Sequence, residues 1–470
     1  MAKGEKVQIL SAEGLLEQAL MPEDEQPYEV PSNWVWVKLG SVINANPPKM
    51  KMSDFNDDDK CSFVPMVAVS DTEGIIFAAE EREFKQVKTG YTQFVNGDVI
   101  FAKITPCMEN GKSAIVEGLI SGVGYGSTEF YVLRTKGLLI NRLLYQLVRS
   151  SAFRTEAKQQ MSGAVGQQRV PKKFIEDYPF PLPPLAEQQR IVDRIESLFA
   201  KLDQAKELAQ NALDSFETRK AAILHKAFTG ELTAKWREEH CVGVDSWERK
   251  PIKEYASKLN QGWSPKCESF PSESVDKWGV IKTTAIQHMD FNEIENKQLP
   301  SNLNPKKQHE LKEGDILITR AGPRNRVGVC CLIKNVRPRL LLCDKAYRFN
   351  ALREKAIPEF LVYQLNTSLI LDEINRMKTG ISDSGLNLTQ EGFLSIEIKM
   401  PSLSEQEEIV RLLDGFLGKE RKVTELTDVM DKIDAMKKVI LARAFRGELG
   451  TNDPTEGSSV ELLKQVIVHQ

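Results

Sequence analysis

The sequence predicts a mixed α/β (α+β) chain in which two similar globular units are separated by two long helices. Three observations lead there. An ordered set of landmarks recurs 213–218 residues further along, short apolar or alternating runs are broken by Gly, Pro and Asn turns, and two stretches carry apolar residues on alternating 3/4 spacing. The length of 470 residues exceeds one ordinary core and fits about three domains.

The repeat runs through the whole chain. Trp34 and Leu39 match Trp247 and Ile252, and "GDVIFAKITP" (97–106) matches "GDILITRAGP" (314–323), after which Gly111 matches Gly328. "LLYQLVRS" (143–150) matches "LVYQLNTS" (361–368), Ser162-Gly163 matches Thr379-Gly380, and "AAILHKAFTGEL" (221–232) matches "KVILARAFRGEL" (438–449). The same order in both halves marks an internal duplication. In each half the runs "DVIFAKI", "GDILITR" and "VGVCCLI" read as strands, with Cys330–Cys331 buried in the last, and residues 141–161 read as a helix.

A strand–proline–helix junction also recurs, as "PFPLPPLAEQQRIVDRIESLF" (179–199) and "IKMPSLSEQEEIVRLLDGFL" (398–417). Proline ends the strand and is tolerated at a helix start, and the Glu187 or Glu405 carboxylate falls in the first turn, where the helix dipole favours it. Beyond it the first copy places Ile191, Ile195, Leu198, Leu202, Ala205, Ala209, Ala212 and Phe216 on one seam. The second copy offers Leu412, Phe416, Val423, Leu426, Met430, Ile433 and Ile440, interrupted by Lys419 and Lys437. Helices from Glu187 to Phe228 and from Glu405 to Phe445 span about 60 Å at 1.5 Å per residue. So narrow a stripe needs a partner: most simply the other helix of the same chain, with an intermolecular coiled coil as the competing arrangement. Gly230 and Gly447 stop the helices.

Composition excludes several classes. With 41% hydrophobic and 27% charged residues the chain is that of a folded protein, and no apolar run reaches the ~20 residues of a membrane span. The start lacks a signal-peptide core, and seven cysteines without a CxxC pair point to reduced thiols in a cytoplasm rather than disulfides or zinc. Net charge is −3, but it is unevenly spread: residues 1–30 hold seven acids against two lysines, whereas residues 301–355 hold 13 Lys/Arg against five acids. Residues 142–173 hold seven Lys/Arg against Glu156 alone. Such asymmetry points to a polyanion or to plain solvated surface.

Catalytic motifs fail on inspection. "MENGKSAI" (108–115) has the Gly-Lys-Ser of a phosphate loop, but Pro106 stands where its first glycine belongs. "NPPK" (46–49) has Lys49 where a base-gripping methyltransferase motif needs an aromatic residue, and no Gly-rich cofactor loop precedes it. The five histidines have no metal-ligand spacing. The duplication repeats a scaffold without a catalytic site, as a binding or adaptor protein would. Loop residues diverge where scaffold residues match, as recognition loops do.

The junctions, the "KAFTGEL" and "RAFRGEL" helix exits, "NWVWVKLGSV" (33–42) and "GDVIFAKITPCMENGK" (97–112) together resemble the DNA specificity subunits of type I restriction-modification enzymes, across nearly the whole chain. The resemblance implies two target recognition domains and two spacer helices paired as an antiparallel coiled coil. It also implies a bipartite asymmetric double-stranded DNA target and a bacterial or archaeal cytoplasmic setting. Two modification subunits that carry S-adenosylmethionine and methylate adenine would dock on this chain, which would bind no cofactor itself, and a motor-nuclease subunit would join them. The implied division is an acidic extension (1–30), recognition domain 1 (31–184), spacer helix 1 (185–230), recognition domain 2 (231–401), spacer helix 2 (402–447) and a tail (448–470). The helix module is one residue shorter in the second copy, 43 against 44 between its two glutamates.

On the DNA face of the first domain we expect Lys103, Thr105, Asn110, Lys112, Gln167, Gln168 and Arg169; on that of the second, Arg320, Arg324, Asn325, Arg326, Ser384 and Asn387. Lys and Arg suit phosphates or guanine, and Asn and Gln suit adenine. A structural adaptor for two proteins and a self-contained methyltransferase are the rival readings.

Overall fold

The structure, a computed structural model, describes residues 12–53, 55–164, 166–380, 382–418 and 421–468. The chain forms two compact units, Met1–Leu208 with Asp428–Gln470, and Ala209–Thr427. Each unit contains one globular head built on the same plan.

In the first head a four-stranded antiparallel sheet runs in the order Ile43–Ala45, Phe130–Thr135, Val99–Ala102, Ser113–Ile115. In the second head the order is Asn260–Gln261, Ala346–Phe349, Ile316–Thr319, Cys330–Leu332. The repeated Gly-Asp opens the central strand of each. Gly97 and Gly314 adopt φ of 90° and 88°, a turn that excludes most side chains. Asp98 then accepts from Val95 N and binds Arg134 through both oxygens at 2.8 Å, while Asp315 accepts from Lys312 N and pairs with Arg348. A second sheet joins Lys60–Val64 in parallel to Val123–Gly126, and Gly279–Ile281 in parallel to Leu340–Leu341. Cys330 and Cys331 are buried, and burial raises both thiols.

The segment expected as one helix over 141–161 is two, Asn141–Arg149 and Ser151–Gln159. Ser150 is extended between them and its hydroxyl accepts from Phe153 N, a cap that serine supplies well. The second head breaks at the matching place, between Pro358–Leu365 and Ser368–Met377.

Each head closes with a two-stranded ribbon that ends at the junction: Val35–Lys38 pairs with Pro179–Leu182, and Glu248–Pro251 with Glu397–Met400. Pro179 and Pro181, two apart, direct their missing N–H groups to the same edge, so the ribbon tolerates both. The junction glutamates are not solvated first-turn acids. Both are fully buried. Glu187 accepts from Trp34 Nε1 (2.7 Å) and Asn452 Nδ2 (2.8 Å); Glu405 accepts from Trp247 Nε1 (2.9 Å), Thr233 Oγ1 (2.7 Å) and Arg237 Nη1 (2.8 Å). The next residue in each copy is a clamp. Gln188 donates to Leu138 O and Pro183 O and accepts from Ile140 N, while Gln406 donates to Lys355 O and Pro401 O and accepts from Ile357 N. Ile140 and Ile357 cap the helices that begin at Asn141 and Pro358, so the Glu-Gln pair fixes the ribbon, the long helix and a head helix to one another.

The first long helix is Leu185–Thr229; the second spans Leu403–Leu417 and Arg421–Phe445. In the first unit Asp203 pairs with Lys437 and Lys206 with Asp434, so the partner's numbers fall as the first helix's rise: the helices are antiparallel. Lys437, expected to interrupt the seam, is accommodated. Its ammonium lies 5.1 Å from the Phe199 ring centroid and bonds Asp203. Ile191, Ile195 and Phe216 are buried, and Leu198 and Leu202 half-buried. Ala205 and Ala212 depart from the expected seam and are exposed, while Leu213 beside Ala212 is half-buried. In the second helix Ile433 is buried, Leu412, Phe416, Leu426, Met430 and Ile440 are half-buried, and the Val423 side chain and Lys419 lie outside the described residues. The fully buried apolar positions near the start of that helix are Ile409 and Leu413, matching Ile191 and Ile195.

The chain after each long helix folds back on a junction. In the second unit the helix Ala234–Glu239 carries Arg237 to Glu405. In the first, residues 451–456 reach the start of the first helix, where Arg190 binds Glu456 at 2.7 and 2.9 Å. Helices Ala12–Ala19 and Ser459–Val468 pack together in the same unit, with Leu16, Leu20 and Leu463 joining its core.

Candidate nucleic-acid interface

Two loops emerge side by side from each head, and they contain the residues expected at DNA. In the first head the loop after Val99–Ala102 is zipped to the loop at 162–170. Val170 N donates to Lys103 O (2.9 Å), Thr105 N to Gln168 O (3.0 Å), and Gln168 N to the Thr105 hydroxyl (3.2 Å). In the second head Leu388 N donates to Arg320 O (2.8 Å) and strand Ala321–Gly322 pairs with Leu386–Asn387.

Both loop pairs are pinned by a tyrosine that the sequence reading missed. Tyr131 OH donates to Val170 O at 2.9 Å while Lys103 Nζ lies 5.4 Å from its ring centroid. Tyr347 OH donates to Leu388 O at 3.1 Å while Arg320 Cζ lies 5.6 Å from its ring centroid. Their matching places in the repeat were the available signal. Each ring holds the second loop with its hydroxyl and steers a cation with its face.

Of the thirteen expected residues, Lys103, Thr105, Lys112, Gln168, Arg169, Arg320 and Arg326 are half-buried and six are exposed. Asn110, Gln167, Arg324, Asn325, Ser384 and Asn387 are exposed. Arg324 is held at the loop mouth by Asp383 (2.8 Å) and Ser384 lies 3.1 Å from the Ser382 hydroxyl. Arg169 is half-buried and grips Glu129 through two bonds of 3.0 and 2.8 Å, which hold that carboxylate below its usual range. Lys112 and Arg326 have work inside the heads. Lys112 Nζ donates to Met66 O (3.2 Å) and Val69 O (2.9 Å); Arg326 Nη2 donates to Thr283 O (2.6 Å) and Ile286 O (2.5 Å). The carbonyls belong to matching 3-10 turns, Met66–Ala68 and Thr283–Ala285, so two unrelated loop positions do the same job. A cation that bonds two carbonyls of one turn is a brace, and this role was invisible to charge counting.

The basic stretch 301–355 is also partly structural. Arg337 donates to Ser272 O (2.8 Å), Arg339 to Asp276 O (2.5 Å), and Arg348 to Glu310 O (2.6 Å). Its excess charge therefore overstates the cations available to a polyanion. Among the described residues no cluster of His, Cys, Asp or Glu is arranged to hold a metal ion, and no helix is long and apolar enough to cross a membrane.

Comparison with known proteins places this geometry. The family model of the type I restriction modification DNA specificity domain matches twice, over residues 31–212 and 245–427. The chain is 32% identical over 474 residues to the type I restriction enzyme EcoEI specificity subunit of Escherichia coli, covering 84% of this chain and 79% of that one. It is 28% identical over 327 residues to the EcoKI specificity subunit of E. coli strain K12, 68% of each chain. Among solved structures, a chain from a study of complex assembly and conformational transition of a type I R-M system superposes with a TM-score of 0.64 at 21% identity, over 90% of this chain and 100% of that one. The HsdS subunit of Thermoanaerobacter tengcongensis gives 0.53 at 21% identity, over 90% and 99%. Two matched domains, each carrying the same frame, the same junction and a divergent pair of loops, establish that the chain belongs to the DNA specificity subunits of type I restriction-modification systems.

Proposed function

We propose that this subunit reads a bipartite, asymmetric DNA target, one half-site through each head, and carries two adenine methyltransferase subunits, joined by a motor-nuclease subunit when DNA is cut. The observation that carries the reading is the paired-loop arrangement. One frame, with one tyrosine pin, occurs twice and presents Lys103, Asn110, Gln167 and Arg169 in one head but Arg320, Arg324, Asn325 and Asn387 in the other. Shared frames with different side chains suit two different short sequences rather than a palindrome. The long helices set the number of unspecified base pairs between the half-sites. S-adenosylmethionine belongs to the partner subunits, which supply the chemistry.

Methylome sequencing of a host with and without the gene tests this. A two-part adenine motif with a fixed gap should appear only with the gene. A palindromic or single-block motif would refute the two-head reading.

A further inference from the structure

The first head holds apolar side chains in solvent on a hydrogen-bonded hairpin beside its proposed recognition loops. Met66–Ala68 and the chain to Phe77 fold as a small antiparallel hairpin, with a Val69–Ile76 bridge and Phe77 N donating to Ala68 O at 3.0 Å. Its inner face is ordinary: Ala68 and Val69 are buried, and Met66 and Ile76 pack on the sheet core. Its outer face is not. Val67 is 74% exposed, Phe77 61% and Ile75 48%, where a surface hairpin normally alternates to polar residues.

The hairpin is held at both ends. Lys112 from the recognition loop bonds Met66 O and Val69 O at its base. At its tip Tyr145 OH bonds Gly74 O (3.3 Å) and Arg149 Nη2 bonds Thr72 O (2.6 Å). The frame does not require the apolar face. In the second head Arg326 braces the matching turn, Thr284 stands where Val67 does, and Asn292 N makes the bond to Ala285 O that Phe77 N makes to Ala68 O. At these two positions the first head carries Val67 and Phe77 where the second carries Thr284 and Asn292; the second head exposes Ile294 two residues further on, at 73%.

We infer that this hairpin is a base-reading element of the first head, with Val67 and Phe77 in apolar contact with the 5-methyl group of thymine in the half-site. The inference rests on the proposed DNA-reading role of the adjacent loops. Apolar contact is the chemistry by which a protein recognises that methyl group.

The test uses the full chain assembled with its methyltransferase subunits, on duplexes whose first half-site carries thymine or deoxyuridine. Loss of each contacted methyl should slow methylation about fourfold, the worth of one CH2 group leaving water. V67S and F77S should abolish that difference and relax one base of the first half-site, with the second half-site and the gap unchanged. Equal rates of the wild type on thymine and deoxyuridine, with the motif unchanged in both variants, would overturn the inference. So would folded variants that no longer assemble with the methyltransferase subunits, which would assign the face to a protein. K103A and N110A separate the two levels. If they alter the motif while the hairpin variants do not, only the hairpin role fails; if they too change nothing, the reading of the loops fails with it.

Discussion

The indole N–H of Trp34 donates to a carboxylate oxygen of Glu187 at 2.7 Å, across 153 residues of chain, and Trp247 makes the same bond to Glu405 at 2.9 Å. The two bonds differ in their company. Glu405 also holds the buried guanidinium of Arg237, whereas the donors bound to Glu187 are the uncharged Trp34, Thr451 and Asn452. Glu405→Gln strands a buried cation and is expected to cost about 3–5 kcal/mol. Glu187→Gln weakens hydrogen bonds from uncharged donors, strands no cation, and should cost about 1–3 kcal/mol. Calorimetry of the two variants should show the larger fall in Tm for E405Q; equal falls would contradict the distinction.

The Arg169–Glu129 pair is expected to make the proposed recognition loop sensitive to acid. The Arg169 hydrogen bonds lower the Glu129 pKa from 4.5, so its folded value lies below its unfolded one. The pair's contribution is therefore present above the unfolded value and is lost as pH falls through the folded one. NMR titration of the Glu129 side chain should show this low value return toward 4.5 in R169A. Glu129→Gln frees the guanidinium at neutral pH and should steepen the salt dependence of DNA binding by about one counterion.

Lys437 tests how much an ion pair contributes inside a helical seam. Its side chain is 25% exposed and that of Asp203 59%, so solvent screens the pair, and a double-mutant cycle should give a coupling below about 1 kcal/mol. Lys437→Leu should leave Tm unchanged or raise it by a few degrees, since the Phe199 ring is already there to receive an apolar chain. Lys437→Glu should lower it, with partial recovery on adding Asp203→Lys.

Removing one heptad from each long helix shortens each by about 10.5 Å, the rise of about three base pairs. The methylated motif should keep its letters and lose about three base pairs of gap. A change of letters with an unchanged gap would invert the roles assigned to helices and loops.

Much of the architecture was legible because it was written twice. Matching Gly-Asp turns, junctions and helix exits locate the frame without any knowledge of contacts, and divergence between the copies points to the loops. What escaped depends on three-dimensional neighbours. Glu187 reads as a first-turn acid, and only the fold brings Trp34 and Asn452 to bury it. Lys112 and Arg326 read as free cations, and only the fold shows the carbonyls they brace. Ala205 and Ala212 fit the 3/4 spacing yet are exposed, because spacing alone does not weigh side-chain size. Tyr131 and Tyr347 carried a readable signal, their equivalence in the repeat, that charge-based reasoning passed over.

The fold-back of residues 451–456 onto Glu187 has a consequence for biosynthesis. The second unit is one continuous stretch of chain, Ala209–Thr427, and can close as soon as that stretch has left the ribosome. The first unit cannot. Its core includes Leu441, Ala444, Phe445 and Leu463, so the N-terminal head waits with an unfinished apolar face until those residues arrive. At ~5–20 residues per second the wait from residue 208 to residue 463 lasts about 13–50 s. The domain made first is thus the last to be completed, and over that interval it is the part of the nascent chain most in need of protection.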